Sequence, residues 1–227
     1  GKNDNGNNGR TELVFVVDRS GSMGGLESDT IGGFNSMLSK QRTIAGECRV
    51  TTLLFDHRIE TLHNHLDIRE VNDLTSRDYW VRGSTALLDA IGLAIDRMIV
   101  TQRHTAAAYR AQHVLFVIIT DGYENASRRY SLHQIKQMIT YERERYHWEF
   151  VFLGANIDAE QTAGDFGISP RCATDFHADG QGIKASFEAV ACAATAVRGG
   201  ADLDDLSAPD FLGGVRDDYR SRRRMKR

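Results

Sequence analysis

The sequence predicts an α/β fold: a mostly parallel sheet with helices on both faces and one antiparallel strand at its edge. Three observations carry this expectation. Short, almost continuously apolar runs, "ELVFVVD" (Glu12–Asp18), "HVLFVIITD" (His113–Asp121) and "WEFVFLG" (Trp148–Gly154), have the pattern of strands buried on both faces. Segments with helical periodicity separate them, as parallel crossovers require. One stretch, "RIETLHNHLDI" (Arg58–Ile68), alternates after a tight turn as an edge strand does.

After the first strand, Ile31, Phe34, Met37 and Leu38 form one apolar stripe of a helix over about Leu26–Ala45. "CRVTTLLFD" (Cys48–Asp56) is β-branched and strand-like, with Asp56 read as a turn residue, and the antiparallel strand follows near Arg58–Leu66. "STALLDAIGLAIDRMI" (Ser84–Ile99) carries Leu87, Ile91, Ala94, Ile95 and Met98 at helical spacing, with Ser84 or Thr85 placed to cap it and Asp89 and Asp96 on its polar or capping side. The strand His113–Asp121 is followed by an amphipathic helix over Ser131–Arg145 and the strand Trp148–Gly154. "NIDAEQTAGDFGI" reads as a short helix, Cys172–Phe176 as a last short strand and Gly182–Val197 as an Ala-rich closing helix. No Gly/Pro-rich linker divides the chain, so residues 11–200 are expected to form one domain. A disordered leader (1–10) precedes it; an extension (201–219) and a solvated, disordered basic tail, "RSRRRMKR" (220–227), follow.

With 227 residues and 41% hydrophobic content the chain has material for a sizeable core. A net charge of -3 gives no general attraction to nucleic acid or anionic membrane, which leaves the basic tail as the one local exception. Three widely spaced cysteines, Cys48, Cys172 and Cys192, argue against a disulfide framework or thiolate zinc site and for a reducing, cytoplasmic setting. The polar start "GKNDNGNNGR" is unlike a signal peptide, and no apolar run is long enough to span a bilayer.

In an open α/β sheet, ligands bind beyond the carboxyl ends of the strands where the order of strand addition reverses. Asp18 ends one strand and Asp121 another, so their acids share a crevice if those strands are neighbours. Ser20, Ser22 and Thr85 lie in loops that open onto the same place. Two carboxylates and three hydroxyls are hard oxygen donors suited to Mg²⁺ or Mn²⁺, with an attraction left over for a carboxylate supplied by a partner. Competing readings find less support. "GSMGG" between strand and helix has the position of a phosphate loop but neither G-x-G-x-x-G nor G-K-[ST]. A metal-dependent hydrolase with Asp18 as nucleophile lacks an obvious general base, since Tyr123 and Glu124 read as rim residues. His57, His63 and His65 form a dense group, read as a solvated edge strand rather than a transition-metal site. Tyr79 and Trp80, ahead of "RGST", either pack beneath the site or line its rim.

"DRSGSM", "GSTALLDAI" and "ITDGYENAS" resemble the three parts of the metal-ion-dependent adhesion site (MIDAS) of von Willebrand factor type A (VWA) domains. Matched by position, Asp18, Ser20 and Ser22 stand in the first part, Thr85 in the second and Asp121 in the third. The resemblance runs over about Thr11–Gly199 and excludes the leader and the basic tail. It implies a Rossmann-like fold with six strands, a bound Mg²⁺ (or Mn²⁺, with Ca²⁺ as an alternative), and capture of a protein partner through an Asp or Glu that completes the metal's coordination. A partner-binding rim of Met23, Gly24, Ser84, Tyr123 and Glu124 is expected with it. The chain is similar to stand-alone intracellular bacterial members, which implies a partner in an ATP-driven chaperone or stress-resistance system, and no catalysis. A metal-dependent phosphohydrolase or a nucleotide- or phosphate-binding protein is the alternative.

Overall fold

The computed structural model describes residues 9–225, so the leader up to residue 8 and the last two residues of the basic tail lie outside the described residues. Six strands form one sheet in the order β3-β2-β1-β4-β5-β6: β1 (Thr11–Asp18), β2 (Cys48–Phe55), β3 (Ile59–Asp67), β4 (His113–Thr120), β5 (Glu149–Gly154) and β6 (Ala173–Asp175). All pairings are parallel except β2 with β3. Every residue of β1 is buried, and every residue of β4 after His113, which is why these runs lack a polar alternation.

The order of the strands fixes where the helices lie. From β1 the chain moves through α1 (Glu27–Arg42) to β2 on one side. From the β2-β3 hairpin it crosses back through α2 (Leu87–His104) to β4 on the other. Right-handed crossovers in opposite directions put α1 and α2 on opposite faces. α5 (Gly180–Arg198) joins α1, with Phe34 edge-on to Phe15 at 5.2 Å and to Phe187 at 6.3 Å. α3 (Leu132–Tyr146) packs beside α2, and short α4 (Ala159–Asp165) lies against β5 and β6. β1 and β4 meet at the reversal, and Val17 pairs with Ile119. Asp18 and Asp121 therefore emerge side by side at the carboxyl ends of adjacent strands.

Three local expectations change. Neither Ser84 nor Thr85 caps α2; Ala86 holds the N-cap position with no side-chain bond of its own. A bulge turns His65 to φ +53, so His63 and His65 do not share a face. His63 bonds Thr52 through Nδ1 at 2.9 Å and stacks on Phe34, whereas His65 Nδ1 sits 2.5 Å from Oε1 of buried Glu12. Among the described residues no three His, Cys, Asp or Glu side chains gather as a metal site.

The third change is at the C-terminus. The basic stretch expected to be disordered is helical up to Met225, as the end of α6 (Gly213–Met225). Buried Leu212 and Val215 anchor this helix. The Arg216 guanidinium donates to the carbonyls of Pro170, Arg171 and Ala173 beside the short edge strand, and Arg222 pairs with Asp179 and Asp218. Among the described residues no helix is long and apolar enough to cross a membrane.

Candidate metal centre

The site grows from the end of β1. Asp18 is fully buried; its Oδ1 accepts the Ser20 N–H at 2.6 Å, and its Oδ2 accepts the Thr120 hydroxyl at 2.7 Å and the Asp121 N–H at 3.4 Å. The Arg19 N–H continues to the Phe55 carbonyl at 2.7 Å, holding the turn against β2. From below, the buried Tyr79 hydroxyl donates to the Asp18 carbonyl at 2.6 Å, so Tyr79 packs under the site while Trp80 stays 39% exposed.

A chain of oxygens then links the two acids. Ser20 Oγ lies 3.1 Å from Ser22 Oγ, which donates to Asp121 Oδ1 at 2.5 Å. The second oxygen of Asp121 is buried with no hydrogen-bond partner. Thr85 joins through its backbone: its N–H donates to Asn125 Oδ1 and its carbonyl accepts the Asn125 N–H. Its loop is tied to the serine loop by the Gly21 N–H to the Gly83 carbonyl at 3.0 Å. Asp18, Ser20, Ser22 and Asp121 thus form one bonded group, with Thr85 held in the adjoining loop.

Electrostatically this group is unfinished. Burial raises the Asp18 carboxyl above its usual range despite the N–H and hydroxyl donors around it. Burial likewise pushes Asp121 up to about 6; the Ser22 hydroxyl opposes this, and the neighbouring charge of Asp18 reinforces it. The cation next in sequence does not compensate. Arg19, 1% exposed, turns to Asp56 (3.3 Å) and Glu60 (2.7 Å) instead. Two facing acids, an unpartnered buried oxygen and two serine hydroxyls, with no thiol or imidazole among them, fit a small hard divalent cation.

Asp56 is more than the turn residue expected. Burial works against its ionisation, yet the Arg58 N–H and the guanidiniums of Arg82 and Arg19 together hold its carboxyl below the usual range. Both guanidiniums also lie over the Trp80 ring, Arg82 at 4.6 Å and Arg19 at 4.8 Å. Nothing local in the sequence announced this group, because Arg19, Asp56 and Arg82 meet only when the loops after β1, β2 and β3 come together.

The expected rim divides. Gly24, Ser84 and Tyr123 are exposed, as is Ser22. Met23, expected there, is fully buried, because its side chain anchors the serine loop in the core. Glu124, also expected there, has both carboxylate oxygens committed to the chain itself. They accept the N–H groups of Leu88, Ala126 and Ser127 and the Ser127 hydroxyl. Together with Ser127 Oγ, which accepts the Asp89 N–H, it caps α2 from another loop. Asp89 in turn accepts from the N–H groups of Arg128, Arg129 and Tyr130, which fixes the β4–α3 loop.

The chain matches no protein-family model and no curated protein sequence. Among solved structures it is similar to proximal thread matrix protein 1 from the mussel byssus, described with a zinc-occupied MIDAS motif. That likeness has 16% identity and a TM-score of 0.57, over 82% of this chain and 46% of that one. It is similar also to the manganese-loaded Plasmodium vivax TRAP protein, with 18% identity and a TM-score of 0.53 over 79% of this chain and 72% of that one. A D319A mutant of the PilB minor pilin from Streptococcus sanguinis aligns with 13% identity and a TM-score of 0.52 over 88% and 64%. The chain therefore spans 46% of the length of the mussel protein. At these identities the likeness establishes the fold, an α/β fold of VWA type.

Proposed function

We propose that this chain is a divalent-metal-dependent protein-binding module in which Asp18, Ser20, Ser22, Thr85 and Asp121 hold Mg²⁺ or Mn²⁺. When bound, the ion supplies a Lewis-acidic centre with a coordination position for an Asp or Glu of the partner protein. The observation that carries this reading is the buried Asp121 Oδ2 with no hydrogen-bond partner, next to a second buried acid and two serine hydroxyls. The chain's own part is to keep the two acids close without a neutralising side chain, and to leave Ser22, Gly24, Ser84 and Tyr123 exposed. The zinc and manganese named for two proteins of the same fold support the cation class.

Both alternatives meet physical obstacles. Glu124, the carboxylate nearest in sequence to Asp121, is bound to three N–H groups and a hydroxyl, which opposes its service as a general base. The start of α1 carries Glu27, which accepts the Gly25 N–H at 2.7 Å, and Asp29; these acids disfavour an anion where a phosphate loop would hold one. The reading is accordingly of a binding module without catalysis. Free, buried Cys48 and Cys172 support a reducing, cytoplasmic setting.

Affinity capture from native extract tests it. Partners bearing an exposed acid are expected in Mg²⁺, and are expected to be lost both in EDTA and with Asp121→Ala. Capture indifferent to both would overturn the reading.

A further inference from the structure

At the opposite end of the sheet, between the C-terminal turns of α2 and α3, lies a pocket of about 200 Å³ that the metal site does not use. Its residues come from just before β4 and β5, at the amino ends of the strands. Glu142 lines it with only 4% of its surface exposed. Among the described residues no hydrogen bond or ion pair reaches its carboxylate. Its carboxylate oxygens open to the space of the pocket rather than being sealed in the core, so a ligand there can meet them. Burial raises this carboxyl above its usual range, and the charge of Arg103 pulls it back.

The remaining walls are of two kinds. Trp148 is 5% exposed and stacked on Phe116, giving a fixed apolar wall, and Tyr141 and Tyr146 stand at the opening, both more than half exposed. Arg103 and Arg110 line the pocket as well, and Arg110 spends only its Nε on the Thr105 carbonyl. A simple amine would suit Glu142 but face two guanidiniums. A simple carboxylate would suit the arginines but face Glu142. A molecule carrying both charges on neighbouring atoms satisfies all three groups, and an apolar body on it would pack against the aromatic rings.

We infer that this pocket is a second ligand site, for a small zwitterion of the α-amino-acid class with an apolar side chain. Its ammonium meets Glu142, its carboxylate meets Arg103 and Arg110, and its side chain lies against Trp148 between the tyrosines. The pocket is amino-acid-sized; sites for drug-sized ligands run to about 300–1,000 Å³. The inference is independent of the metal site, whose residues lie at the other end of the strands.

The chain has two tryptophans, so Trp80→Phe leaves Trp148 as the sole tryptophan, read by excitation at the red edge where tyrosine does not absorb. Titration of that protein with L-phenylalanine and with L-leucine is expected to give a saturable change in Trp148 emission. N-acetyl-L-phenylalanine, which lacks the ammonium, and L-phenylalanine methyl ester, which lacks the carboxylate, should each bind at least about tenfold more weakly. Glu142→Gln should cost a similar factor, and Tyr146→Ala, at an exposed ring, should weaken binding without touching the buried acid. The inference is overturned by no saturation with either amino acid, by analogues that bind as well as the parent, or by affinity unchanged in both variants.

Discussion

Arg19 shows how a single residue within the serine motif is turned to structural use. Its backbone donates to Phe55 and accepts from Arg82, its guanidinium is spent on Asp56 and Glu60, and it lies over Trp80. Replacing it by alanine leaves fully buried Asp56 with Arg82 as its remaining guanidinium, whereas Glu60, half exposed, can turn to water. Breaking a buried ion pair costs about 3–5 kcal/mol where the remaining charge has no other partner, and Arg82 and the Arg58 N–H hold the cost here below that. Arg19→Ala is therefore expected to lower the urea midpoint, and an unchanged midpoint would show that Arg82 alone satisfies Asp56. At this scale the sequence was informative in one direction only. The spacing of Asp18, Ser20 and Ser22 at the end of an apolar run was legible because strand ends and loop acids are local features. The Arg19–Asp56–Arg82 group was not, since its members lie in three separate loops.

Between elements, the decisive contact is the capping of α2 by Glu124 and Ser127. Losing an N-cap side chain costs about 0.5–2 kcal/mol. Here the same carboxylate also holds the loop carrying Asn125, which holds Thr85. Glu124→Ala is expected to destabilise the protein by about 1–2 kcal/mol and also to weaken cation binding. A loss of stability with unchanged cation affinity, measured by calorimetric titration, would show that Thr85 is placed without this loop. A cap supplied from 36 residues away leaves no local pattern, so the sequence offers only Ser84 and Thr85 for that role. α6 has no local signature for a related reason. Val215 is its only buried apolar residue, and its other contacts with the domain come from arginines, from Tyr219 against His177 and from Asp218 with Gln181, a composition that reads as a solvated tail. The strands, by contrast, were legible nearly to the residue, because burial on both faces forces continuous apolar runs.

Over the whole molecule, carboxyls raised by burial (Asp18, Asp121, Glu142, Glu149 and Asp175) favour the folded state toward lower pH, and His63 and His113, lowered by burial, favour it toward higher pH. Burial pushes Glu149 up to about 7, and the charges of Asp202 and Asp204 add to this against the Leu203 N–H and Arg143. The unfolded chain releases this proton near 4.5, so between about 4.5 and 7 the folded state holds more protons than the unfolded one. Its contribution to stability is thus greatest below about 4.5 and falls as pH rises to about 7. Glu149→Gln should remove that part of the slope, so that urea unfolding in EDTA changes less between pH 5 and 7.5 than in the wild type; equal slopes would place the proton elsewhere. Asp18 and Asp121 are raised in the same sense, which leaves the cation as the natural stabiliser of the sheet's carboxyl end. The most direct measurement is thermal unfolding of wild type and Asp121→Ala with and without Mg²⁺ or Mn²⁺. At a hundredfold excess over the dissociation constant, one site should add about 2.7 kcal/mol, a rise of roughly 5–10 °C in Tm, in the wild type alone. An equal rise in both proteins, or none in the wild type, would contradict the account.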